Sequence, residues 1–132
     1  MKRTGSCLCG AVTFEAKTMP TMQACHCSMC RKWSAGPFMA VPCEDAAFSG
    51  PISRYESSGD NERGFCTTCG SNLFFHTRGG PIHAIPIALF DDPSDLKFRA
   101  EIYIDDKPDY YEFANATKKF TGAEFEAKFR GG

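Results

Sequence analysis

The sequence predicts a mainly β domain of folded sheets, and three observations carry that expectation. Short segments alternate apolar and polar residues with the period of two expected of half-buried strands. Gly, Pro, Asp and Ser recur between them as turn signals. Seven of the eight cysteines fall into three tight clusters, so part of the fold is expected to be tied by a metal rather than by a large core. At 132 residues with no repeat, low-complexity tract or linker, residues 1–132 read as one domain.

Taken in order, Ala11-Val12-Thr13-Phe14-Glu15-Ala16 alternates over most of its length and reads as the first clear strand. Pro37 to Val41, Ala46 to Phe48, Asn72 to His76, Ile82 to Leu89 and Lys97 to Ile104 follow as further strands. Pro86 lies inside one of them and marks it as an edge strand or a bulge, because proline cannot donate to a ladder. Ser28 to Ser34 reads as one or two helical turns with Ser28 as N-cap. From Thr117 to Phe129 the apolar residues Phe120, Phe125 and Phe129 fit a short helix or an irregular wrap.

Charge and composition exclude several functions. The formal net charge is −1 and the pI is near 6.3, which leaves no electrostatic footprint for nucleic acid or an anionic membrane. No run of apolar residues is long enough to span a bilayer. Lys2 and Arg3 are not followed by an apolar stretch, so no secretory signal is read and the expected compartment is the reducing cytoplasm. Arg31, Lys32, Arg54, Arg63 and Lys107 read individually as dispersed surface charge.

Compartment decides how the cysteines are read. Thiols stay reduced in the cytoplasm, and closely spaced pairs suit a metal better than four disulfides. The clusters are Cys7-x-Cys9-Gly10, Cys25-His26-Cys27-x-x-Cys30 and Cys66-x-x-Cys69-Gly70. In the first and third, the second cysteine precedes a glycine, which supplies the positive φ of a tight turn whose N–H groups point at sulfur. Together they offer four thiolates, enough to close a tetrahedral structural zinc site. Cys25, Cys27 and Cys30 supply three thiolates and leave a fourth position for water or a thiol. On an extended segment Cys25 and Cys27 point to one face and His26 to the other. A fourth-ligand role for His26 is therefore the lesser reading, behind a supporting, acid–base or packing role. Arg31 and Lys32 either stay solvated or balance the site and attract a carboxylate. Trp33 and Phe38 read as apolar wall, His76 and His83 as exposed or satisfied histidines, and Cys43 as a small buried hydrophobe.

The order C-x-C-G, C-H-C-x-x-C-R-K and F-C-x-x-C-G-S-x-L resembles the glutathione-dependent formaldehyde-activating enzyme family. Ile85 to Pro93, with its Asp91-Asp92-Pro93 turn, and Glu101-Ile102-Tyr103-Ile104 with Lys107-Pro108 resemble later parts of that family. The resemblance implies an Mss4-like fold of folded antiparallel sheets stapled by a structural zinc on Cys7, Cys9, Cys66 and Cys69. It implies a catalytic zinc on Cys25, Cys27 and Cys30, hence two zinc ions per chain, the second the more labile. It implies a carbon–sulfur lyase that interconverts glutathione plus formaldehyde with S-(hydroxymethyl)glutathione. Within the resemblance, Glu101 stands where many relatives carry histidine, and Tyr110 or Tyr111 where many carry tryptophan. The contrasting expectation is a non-catalytic zinc module of the same fold that binds a protein partner; a zinc-ribbon nucleic-acid binder is opposed by the charge.

Overall fold

The computed structural model describes residues 1–130, with side chains described through Lys128, so the Phe129 side chain lies outside the described residues. The protein is mainly β, as expected. Its chain divides into two compact units, Met1–Pro20 with Val41–Leu96 and Thr21–Ala40 with Lys97–Gly132.

The first unit contains β1 (Lys2–Ser6), β2 (Thr13–Thr18), most of β4 (Phe38–Ser49), β5 (Ile52–Ser58), β6 (Asn61–Cys66), β7 (Asn72–Thr77) and β8 (His83–Pro86). β1 pairs with β2 and β2 with β4, all antiparallel. β8, β7, β6 and β5 follow in order from β4, with β5, β6, β7 and β8 forming an antiparallel meander. β2 alternates strictly, with Phe14, Ala16 and Thr18 buried and Thr13, Glu15 and Lys17 exposed. The buried Val12, Phe14, Val41, Leu73, Phe74, Ile85 and Phe90 form its core. Phe14, Phe48, Phe74 and Phe90 bind it together through ring contacts of 5.0–5.3 Å between centroids.

Two details differ from the sequence expectation. The segments at 37–41 and 46–48 are one strand, because Pro42 and Asp45 bend the chain without ending it: Asp45 takes φ 51° and the β2–β4 register slips between Glu15 and Lys17. Pro86 ends β8, which is flanked by β4 and β7, and a 3₁₀ turn over Ile87–Leu89 follows. The proline is thus a terminator rather than the mark of an edge. β1, β5 and β6 carry charge, and β1 and β6 also glycine, in place of a plain alternation, and periodicity alone does not mark them.

The second unit contains β3 (Thr21–Cys25), α1 (Ser28–Ser34), the first residues of β4, β9 (Lys97–Ile102), β10 (Lys118–Phe120) and α2 (Gly122–Phe125). β3 lies antiparallel to β4 through Gln23–Ala40, Ala24–Met39 and Cys25–Phe38. It lies parallel to β9, which is parallel to β10. Met22, Ala24, Phe38, Ala40 and Ile102 are buried, and Trp33 meets Phe38 edge-on at 5.5 Å. The 117–129 stretch resolves into β10, a capped turn of helix at α2 and a wider helical turn over Glu126–Arg130.

Candidate metal centres

Two hairpin turns of the first unit build the four-thiol cluster. Cys7 and Cys9 lie between β1 and β2, and Cys66 and Cys69 at the turn from β6 to β7. The two turns share a hydrogen-bond plan. Cys7 N donates to Val12 O at 3.0 Å and Cys66 N to Ser71 O at 2.9 Å. Gly10 N donates to Cys7 O and Gly70 N to Cys66 O, with φ of 81° and 79° at the two glycines. The left-handed residue that the Cys-Gly pairs predicted is therefore present in both turns.

Backbone N–H groups are aimed at sulfur: Val12 N at Cys7 Sγ (3.3 Å), Ala11 N at Cys9 Sγ (3.5 Å) and Cys69 N at Cys66 Sγ (3.4 Å). The four Sγ atoms lie within 4.8 Å of one another, with Cys7–Cys9 at 3.6 Å and Cys9–Cys66 at 3.9 Å. A tetrahedral ion with metal–sulfur bonds of ~2.3 Å requires sulfurs ~3.8 Å apart. Among the described residues none of the eight cysteines is in a disulfide. The donors and their spacing fit a structural zinc ion. Ser71 was not singled out from the sequence, although it follows directly on Cys69-Gly70. Its hydroxyl accepts from Leu8 N at 3.1 Å and lies 3.2 Å from Cys69 Sγ. The Ser71 hydroxyl and backbone hold the Cys69 thiol down at about 5.

The second unit builds the three-thiol cluster from the end of β3 and the start of α1. Cys25 closes β3, Cys27 is the N-cap of α1 and Cys30 lies in its first turn. The N-cap is Cys27 and not Ser28: Cys27 has extended dihedrals and its sulfur accepts from Cys30 N at 3.4 Å, the work a serine oxygen would otherwise do. Cys25 and Cys30 are buried and Cys27 half-buried, and the three Sγ atoms lie within 4.8 Å of one another. The Cys27 and Cys30 side chains, with burial, push the Cys25 thiol far above its ordinary range. Three sulfurs this close could hold a metal ion, which would favour their ionised form, and zinc fits the set.

His26 is fully buried and is not in this group of ligand atoms. Its Nε2 lies 2.8 Å from Glu101 Oε1 and its Nδ1 2.7 Å from the Tyr111 hydroxyl. Both ring nitrogens are thus engaged away from the thiols, as period-two geometry predicted, and the fourth-ligand reading falls away. Glu101 is also buried; its other oxygen accepts from the Thr117 hydroxyl and lies 3.7 Å from Lys119 Nζ. Burial alone would push this carboxyl up, but the hydrogen bonds from Thr117 and His26 hold it below the usual range.

The remaining singled-out residues are dispersed. Arg31 Nε donates to His26 O at 2.8 Å, so it braces the loop, while Lys32 is exposed. Arg63 is not surface charge: it is buried, with its guanidinium 5.0 Å from the centre of the Phe75 ring. His76 and His83 face each other across β7 and β8 as parallel rings 3.9 Å apart. His76 is bonded to Glu62 and to Gly80 O, whereas His83 Nδ1 is buried without a hydrogen-bond partner. Cys43 is fully buried, and burial pushes its thiol up to about 12.

A mainly β protein that carries one four-thiol and one three-thiol cluster in this order defines a narrow class. The chain belongs to the glutathione-dependent formaldehyde-activating enzyme family, whose pattern it matches over residues 2–106. It is similar to an uncharacterized lyase of Schizosaccharomyces pombe, 40% identical over 89% of each chain. It is also similar to a Halomonas elongata protein provisionally named a glutathione-dependent formaldehyde-activating enzyme, 29% identical over 82% of this chain and 78% of that one. The crystal structure of a Rhodobacter sphaeroides protein shares the fold with a TM-score of 0.57, at 22% identity over 72% of this chain and 98% of the other. Family and relatives support an enzyme of lyase type. Among the described residues no helix is long and apolar enough to cross a membrane.

Proposed function

We propose that the protein forms and cleaves the carbon–sulfur bond of a thiol–aldehyde adduct, with S-(hydroxymethyl)glutathione, formed from glutathione and formaldehyde, as the substrate. The observation that carries this reading is the cluster of three thiols, Cys25, Cys27 and Cys30, with His26 turned away from it. Three protein ligands are the number that keeps a metal open to a reactant. Zinc held there supplies a Lewis acid that makes a neighbouring thiol ionise near neutral pH.

In the forward direction the sulfur lone pair forms a bond to the aldehyde carbon and the C=O π pair moves to oxygen. That oxygen takes up a proton, the thiol gives one up, and cleavage reverses each change. Because formaldehyde adds to thiols unaided, holding the reactants together and ionising the thiol suffice for useful acceleration. The residues divide this work. Cys25 and Cys30 are buried and keep water from two sides, while the half-buried Cys27 marks the open side. The proton for the oxygen comes from water, since both ring nitrogens of His26 are committed to Glu101 and Tyr111.

The test is exchange between formaldehyde plus glutathione and their adduct, followed by NMR, with zinc-loaded protein against Cys27→Ser. Acceleration of at least tenfold that disappears in the variant is expected. No acceleration by protein that carries metal in both clusters overturns the assignment.

A further inference from the structure

Beside the three-thiol cluster, the buried His26 and Glu101 share a hydrogen-bonded set with the half-buried Tyr111 and Thr117. His26 sits between two of the thiols, and all four of its polar groups are engaged. Its N–H donates to Ile102 O at 3.1 Å and its carbonyl accepts from Arg31 Nε at 2.8 Å. Its Nε2 meets Glu101 at 2.8 Å and its Nδ1 meets Tyr111 at 2.7 Å, and the Tyr111 ring stacks on the imidazole at 5.5 Å. Glu101, an ionised carboxylate, can only accept, so His26 donates to it through Nε2. Glu101 is in turn fixed by Thr117 and Lys119, both placed at or beside β10. Lys107 Nζ lies over the Tyr111 ring, 5.3 Å from its centre, in a cation–π contact.

We propose that Glu101 and Tyr111 are positioning residues of the three-thiol cluster, acting through His26 to fix the directions in which Cys25 and Cys27 point. This rests on reading that cluster as a metal site. Cys25 and Cys27 flank His26 in sequence, so any rotation of the His26 backbone swings both sulfurs. The imidazole is the handle on that backbone, and it is buried with both nitrogens occupied. Turning it leaves a buried carboxylate without its donor, which a dry interior strongly opposes. Neither residue lies near the cysteines in sequence, and the grouped ligand atoms are those of the three cysteines. Their effect is expected on metal affinity rather than on the chemical step, as outer partners of metal sites generally act.

The experiment is chelator competition on the full chain loaded with zinc, comparing wild type, Glu101→Gln and Tyr111→Phe. Cys27→Ser identifies which of the two bound ions belongs to the three-thiol cluster. In both variants that ion is expected to bind about 10- to 100-fold more weakly, while the ion on Cys7, Cys9, Cys66 and Cys69 is unchanged. With cobalt(II) in place of zinc, the sulfur-to-cobalt absorption of the three-thiol cluster is expected to shift in the variants, a change that general loosening of the fold would not confine to one site. Affinities within twofold of wild type in both variants overturn the positioning role and leave the metal reading intact. A wild-type chain that binds a single ion overturns both. Should Glu101→Gln fail to fold, Tyr111→Phe decides alone, since it removes one hydroxyl and keeps the ring.

Discussion

Ser71 shows how much of a thiolate site lies in residues that are not ligands. Its hydroxyl links the two turns of the four-thiol cluster, reaching Leu8 N from one and Cys69 Sγ from the other. Ser71→Ala removes both contacts and is expected to weaken that site about tenfold in chelator competition, leaving the three-thiol site as it was. His83 is a residue of another kind. Burial, with the facing His76, pushes its imidazole down to about 4, well below an ordinary histidine. Glu62 and Arg54 also face this pair and act on His83 in opposite senses, the carboxylate favouring its charge and the guanidinium opposing it. In the unfolded chain His83 titrates near ~6.5, so between that pH and about 4 the unfolded state binds the extra proton. Stability from the neutral ring is therefore full above ~6.5 and is lost as pH falls towards 4. His83→Phe is expected to flatten this part of a melting-temperature profile relative to wild type. Equal slopes in the two proteins would contradict it.

At the scale of elements, caps decide where the short helices begin. α1 starts at Cys27, whose sulfur both accepts from Cys30 N and belongs to the cluster, so helix and site are built by one residue. Cys27→Ser keeps the cap, since a serine oxygen serves there as well, and removes the ligand. This makes it a clean control: the helical signal is expected to stay while the metal is lost. α2 is a single turn held by a capping box, with Thr121 accepting from Glu124 N at 3.1 Å and Glu124 accepting from Thr121 N at 2.8 Å. Thr121→Ala is expected to cost about 1 kcal/mol, seen as faster amide exchange over Gly122–Phe125. The strands show the limit of pattern reading. β2 declares itself by alternation and β7 by an apolar run bounded by turn residues, whereas β1 and β6 gain order from the turns that carry cysteines and from their neighbours in the ladder.

For the whole molecule, metal and fold are coupled unequally at the two clusters. The four-thiol cluster joins two hairpin turns that lie more than fifty residues apart in the chain, so its metal closes a long loop. The three-thiol cluster spans only Cys25 to Cys30 and ties a strand end to the helix that follows it. Stepwise chelation is therefore expected to remove the ion of the three-thiol cluster first with little loss of β signal in circular dichroism. Removal of the second ion is expected to unfold the first unit cooperatively. Unfolding that accompanies the first ion would reverse this assignment.

The sequence by itself determined the β class, the division of seven thiols into four and three, the left-handed glycines at Gly10 and Gly70, and the outward turn of His26 from Cys25 and Cys27. These are local properties, set by spacing, by the period of a strand and by the conformations glycine allows. Tertiary structure alone decided that Glu101 and Tyr111 close on His26, that Ser71 bridges two distant turns, that Arg63 is buried and that His76 stacks on His83. Each of these joins residues from separate strands or loops, and partners across a ladder are set by strand register rather than by local pattern.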